Sequence, residues 1–193
     1  MPRSYFARGN PCLEFELDEN DRPIGHPCDG FKLTKRAQAL CLEKWRKCVD
    51  KRPPIAQLPV ELRPKHPEDG TPLLHYGFVI EEEDIMACAI RNNIINDETK
   101  PSQRYLFAVW GVFSFVCRET RALVYHRSPL SIEHKHMVSL YSNHSIEEDE
   151  YDEEDEREII EIVKRELNIP ESTPLMWWWD AIENGPGPEF DRE

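Results

Sequence analysis

Three of the seven histidines of this 193-residue chain fall in one stretch, SIEHKHMVSLYSNHSIEEDEYDEEDERE, running from Ser131 to Glu158. His134 and His136 stand two apart, so in an extended segment both imidazoles project from one side. Two imidazoles on one face can meet a single ion, with nitrogens about 2.0–2.1 Å from zinc. Glu133 or an acid of the following run would supply an oxygen. The expectation is a zinc alternative at His134 and His136, a small metal-assisted hydrolase site, against a plain histidine pair. No other cofactor is expected. His144 shares their parity, but a continuous strand would put it roughly 26 Å from His136, too far to share an ion. His126 sits on the segment before.

A second set of candidates is Trp177, Trp178 and Trp179. Three consecutive indoles cannot all face a core from one helix or strand. At least one is expected to be exposed, or to line a groove for a ligand or partner. The plainer expectation is a segment lying across the domain with two rings buried. A third set, Cys12, His26 and Cys28, places thiols and an imidazole near a loop. It has no fourth zinc ligand at a recognisable spacing. Ser145, followed by Glu147, Glu148 and Asp149, suits an acid-directed kinase.

Several chemistries lack their motif. There is no phosphate-cradling GxxxxGK[ST] or GxGxxG, no GxSxG nucleophile elbow, no HExxH and no calcium loop. Ten acids crowd residues 147–158 without the glycine or the ligand spacing that a calcium loop needs.

Charge is unevenly placed. Residues 1–66 carry 13 Lys and Arg against 9 Asp and Glu, or +4, while residues 67–193 carry 11 against 28, or −17, giving the net −13. Such a surface repels phosphate backbones, which disfavours nucleic acid and anionic membranes as partners and leaves a protein partner. No apolar secretory core follows the N-terminus, and the longest uncharged apolar run, Tyr105–Cys117, is short of the about 20 residues a membrane span requires. A soluble cytoplasmic or nuclear chain with reduced thiols is expected, and its oligomeric state is left open.

The elements that must position these residues follow from periodicity. Thr34–Asp50 reads as a capped helix with an apolar stripe of Ala37, Cys41, Trp45 and Cys48. Cys41 and Cys48 stand roughly 10 Å apart along it, too far for a disulfide. Residues 82–95 read as a second helix, with Met86, Ala89, Ile90 and Asn93 on one face. Residues 156–167 read as a third, buried through Ile159, Ile160, Val163 and Leu167. Leu13, Phe15 and Leu17 alternate with Glu14 and Glu16 as a short strand. Residues 73–80 and 104–143 are expected to form the main sheet, with RYLFAVWGVFSFVC as a two-sided buried strand and a helix as its competitor.

The expected fold is therefore α+β: a small antiparallel sheet of three to five strands with about three helices mainly on one face. One domain over 1–193 is expected from length. Residues 52–72 would be a Pro-rich connector, 147–158 an acidic solvated loop and 185–193 a flexible tail. The functional expectation is an interaction or adaptor protein using its acidic face and aromatic C-terminal segment. The alternatives are the hydrolase near His134 and His136 and a small-ligand binder with a Trp-lined groove.

Overall fold

A computed structural model describes residues 4–6, 14–25, 32–66, 69–96, 99–149 and 151–186. Cys12, His26 and Cys28 lie outside them, as does most of the expected tail. The chain groups into two compact units, Met1–Lys51 with Gly185–Glu193, and Arg52–Asn184. Where one domain over 1–193 was expected, the division falls at the start of the Pro-rich segment.

In the first unit, β1 (Ser4–Phe6) pairs antiparallel with β2 (Glu14–Glu16). Strand alternation would expose Glu14. Instead it is buried, and its carboxylate accepts the Thr34 hydroxyl at 3.1 Å. The same hydroxyl oxygen accepts from the Ala37 N–H and caps α1 (Lys35–Lys51). Ala37 and Cys48 are the buried ends of the expected stripe.

The second unit is α+β. Its sheet has the order β4-β5-β3-β6, antiparallel throughout, from β3 (Leu74–Ile80), β4 (Tyr125–Arg127), β5 (His136–Ser142) and β6 (Met176–Trp179). Residues paired in register share a face. One face carries Leu74, Phe78, Ile80, Val138 and Trp177, and all of these belong to a single apolar core with residues of α2 (Glu82–Arg91), α3 (Pro101–Thr120) and α5 (Glu153–Glu166). The ladder shifts register between Tyr76 and Gly77. A Cβ at Gly77 would run into the Val138 carbonyl. Glycine lets the two backbones meet at this bulge.

Three expectations are corrected. RYLFAVWGVFSFVC is not a strand but the body of α3. Pro101 opens the helix, and Arg121 ends it in the left-handed region at φ 55°. Ala108, Val109, Val112, Phe113 and Val116 are buried at helical spacing. On α2 the buried stripe is Ile85, Cys88 and Ala89, one position round from the expected face, and Ile90 points outward. Asn93 instead takes a positive φ at the helix end.

The acidic run is not all loop: Ile146–Asp149 forms α4, and residues 153–158 open α5. The Asp152 side chain accepts from the Glu154 and Asp155 N–H groups, and the acids of the first turn meet the positive end of the dipole. Glu156 also accepts from the Tyr141 hydroxyl at 3.0 Å, so the run is tied to the sheet.

The Pro-rich segment is pinned. Ile55 exchanges two backbone hydrogen bonds with Trp177, extending the sheet beyond β6. Buried Asn143 donates to the carbonyls of Leu62 and Pro72 and accepts from the Leu74 N–H. A short 3-10 turn, Val60–Leu62, packs Leu62 against the core.

Candidate functional site

The tryptophan triplet forms β6, and alternation divides it. Trp177 is buried against Tyr76 and Tyr141, with ring centroids 5.0 and 5.8 Å away. Trp179 is half-buried, donates its indole N–H to the Pro53 carbonyl at 3.1 Å and lies under the Arg52 guanidinium. Trp178 is half-buried on the opposite face, and its buried indole N–H has no acceptor among the described residues. The strand thus fastens the Pro-rich segment to the sheet. No consecutive exposed indoles remain for a groove.

The two candidate metal histidines have separate partners. β5 begins only at His136, because Ser131 Oγ accepts from the N–H groups of Glu133 and His134 and bends the chain there. His134 Nδ1 meets Glu81 at 3.0 Å, and its ring stands edge-on to Trp178. His136 turns to the helix face, where Tyr105 of α3 and His126 of β4 meet it. Cross-strand register brings His126 and His136 together: His126 pairs with Val138, two residues along from His136. His126 Nε2 lies 3.0 Å from His136 Nδ1, and Phe113 packs edge-on to His126. Burial, followed by the charge of its neighbours, pushes His126 down to about 4. Burial also lowers His136. It pushes the Tyr105 hydroxyl up to about 12. His144 donates to or accepts nothing in this group; its Nε2 meets the Thr71 carbonyl. Among the described residues no group of three His, Cys, Asp or Glu side chains could hold an ion. Ser145 is half-buried in reciprocal contacts with Ser142.

Sequence reasoning missed the opposite face of the sheet. A pocket of about 430 Å³ is lined there by His75, Tyr125, Arg127, Ser139, Asp180 and Glu183, among others. His75 Nε2 lies 3.0 Å from Asp180 Oδ2, and both side chains are buried. Burial lowers the His75 pKa more than Asp180 raises it, so the ring is neutral at pH 7. Asp180 Oδ1 also accepts from the Ile182 and Glu183 N–H groups, capping the short helix α6 (Ala181–Asn184). Asn184 donates to the Leu73 carbonyl. The His75–Asp180 pair therefore holds α6 against β3, whatever else it does. No sequence motif marks this pair, because 105 residues separate its members.

The outer face of α3 is also unforeseen. Leu106, Phe107 and Trp110 are 52, 47 and 68% exposed, and Ile90 on the adjacent α2 is 54% exposed. Ile94 would collide with a Cβ at Gly111, so α2 and its C-terminal turn pack close beside this stripe. Large apolar side chains clustered on a surface usually mark a contact site. Lys100 lies at the stripe's N-terminal end, and Arg118 and Arg121 at its C-terminal end; all three are exposed. No helix among the described residues is long and apolar enough to cross a membrane.

Comparison with protein-family models, with curated proteins and with solved structures finds no match of this chain to any of them.

Proposed function

We propose that this chain is an interaction protein whose docking surface is the outer face of α3. The observation that supports the reading is the exposed stripe of Leu106, Phe107 and Trp110, joined by Ile90. Aromatic side chains are strong contact anchors because they bring large area at little entropic cost. The stripe replaces the tryptophan triplet as the aromatic surface of the adaptor reading. Its partner is an amphipathic helix with an apolar face and an acidic end that meets Lys100. Gln103, Phe107, Trp110, Ser114 and Arg118 follow one another at helical steps of three and four, a line that a second helix can lie along. Lys100 at its N-terminal end attracts a carboxylate, whereas Arg118 at the other end is paired with Glu119 and Arg121 lines a cavity with Asp155 and Glu158.

A display library of amphipathic helices, varied at apolar and flanking charged positions, tests the proposal. Wild type should select sequences with an acidic flank. A Phe107→Asp, Trp110→Ser variant should lose them while keeping the circular dichroism of the wild type. Selection of the same peptides by both proteins would end the reading. Concentration-dependent dimerisation abolished in the variant would instead assign the surface to self-association.

A further inference from the structure

The cross-strand histidines carry an inference of their own, independent of the docking surface. We propose that His126 and His136, with the Tyr105 oxygen beside them, form a binding site for a late first-row divalent cation such as Zn²⁺.

A tetrahedral zinc with nitrogens at about 2.0–2.1 Å holds neighbouring donors about 3.3 Å apart. His126 Nε2 and His136 Nδ1 are 3.0 Å apart, and Tyr105 Oη lies 3.2 Å from that His136 nitrogen and 3.0 Å from the ring's Nε2. Opening the donors by a few tenths of an ångström admits the ion. Regular structure fixes all three groups: His126 is on β4, His136 on β5, and Tyr105 on α3, two turns before the Phe113 that packs on His126. This placement limits the rotamer freedom lost on binding.

Metal binding requires imidazole with a bare lone pair. A neutral imidazole keeps one N–H, so an ion held by His126 Nε2 and His136 Nδ1 requires the tautomers that carry the proton on the other ring nitrogens. Neutral imidazole suits Zn²⁺, Ni²⁺ and Cu²⁺ better than Mg²⁺ or Ca²⁺, which prefer oxygen. The Tyr105 hydroxyl beside His136 offers a third, weaker oxygen donor. Glu82, at the start of α2, is the acid whose charge acts most on His136. Its charge offsets that of the ion from a distance rather than as a ligand. Two imidazoles and one neutral oxygen leave coordination positions open. The site is therefore an exchangeable one, with affinity well short of a structural zinc site.

The groups also explain why the spacing in HKH misleads. His134 takes Glu81 and Trp178 as partners, and the ion's second imidazole comes from the neighbouring strand.

The test is titration of the tag-free chain with Zn²⁺ by calorimetry, and with Co²⁺ by absorption spectroscopy. Wild type should bind one Zn²⁺ through this pair, and His134→Ala should bind equally well. His126→Phe, chosen because the ring continues the packing on Phe113, should weaken binding about tenfold or more. His136→Asn should do the same, which covers the case in which one variant does not fold. The Co²⁺ spectrum of wild type should show ligand-field bands without thiolate charge transfer. Binding that survives both substitutions, or is lost with His134→Ala, would overturn the proposal. So would thiolate bands, which would assign the metal to cysteines. No binding by wild type at millimolar Zn²⁺ would overturn it outright.

Discussion

Three imidazoles decide the acid behaviour of the molecule one residue at a time. His75, His126 and His136 are all held below the ordinary histidine value, with burial the leading cause in each. The unfolded chain protonates them near 6.5. The folded chain resists protonation, with His126 lowered to about 4. Between those values the unfolded state binds more protons, so stability rises with pH. The full contribution is present above about 6.5 and is lost as pH falls toward the folded values. Metal-free thermal melts between pH 7 and 5 should therefore show a falling Tm, in a window where most carboxylates remain ionised. His126→Phe and His75→Gln should each flatten the slope. A slope unchanged in both, or one of opposite sign, would contradict the assignment. His75 differs from the other two in having Asp180 as a partner, and this aspartate also caps α6. Its protonation would strain a tertiary join, whereas that of His126 disturbs packing between β4 and α3.

At the scale of elements, the two most informative tryptophans lie on different surfaces. Trp177 on β6 is buried in a ring cluster with Tyr76 and Tyr141, whereas Trp110 on α3 is mostly in water. Trp177→Ala should cost about 3–5 kcal/mol of unfolding free energy, the usual range for a buried large aromatic. Trp110→Ala should stay within about 0.5 kcal/mol, as for a surface change. Denaturant titrations of the two variants check this; comparable losses would show that α3 buries its outer face. The contrast also shows what periodicity could and could not reveal. α1 and α5 were legible because Ala37 to Cys48 and Ile159 to Leu167 each make one stripe beside a polar face. β3 and β5 were legible as short β-rich runs. α3 was not, because its outward Leu106, Phe107 and Trp110 are as apolar as its inward Val109, Val112 and Val116. A helix that is apolar all round has the same composition as a buried strand. β6 was obscure for a related reason: three identical residues have no alternation to read. The joining of His126 to His136, and of His75 to Asp180, depends on strand register and on a 105-residue separation that no local pattern records.

For the whole molecule, the net charge of −13 and the exposed α3 stripe act against each other. Like charge keeps copies apart at pH 7, even though Leu106, Phe107, Trp110 and Ile90 present a surface that water covers poorly. The sequence pI is about 5.0, so that repulsion vanishes on mild acidification. Below that point the chain turns cationic and repulsion returns. Self-association should therefore peak near pH 5, and it should run through the stripe, where Leu106, Phe107 and Trp110 expose large apolar area side by side. Light scattering against pH at low temperature measures the association, and circular dichroism over the same range separates it from acid unfolding of the histidine-bearing packing. In a Phe107→Asp, Trp110→Ser variant the peak should shrink while the pH at which helicity is lost stays the same. An undiminished peak would mean that the attraction lies elsewhere. Added salt gives a second reading of the same balance. At pH 7, raising ionic strength from about 0.01 to 0.15 M shortens the screening length from about 30 to 8 Å. Repulsion between whole molecules should then weaken and scattering by wild type should rise slightly through weak, transient contacts, without a stable dimer, because contact between apolar side chains is insensitive to that screening. The variant, which keeps only Leu106 and Ile90 of that surface, should show a smaller rise.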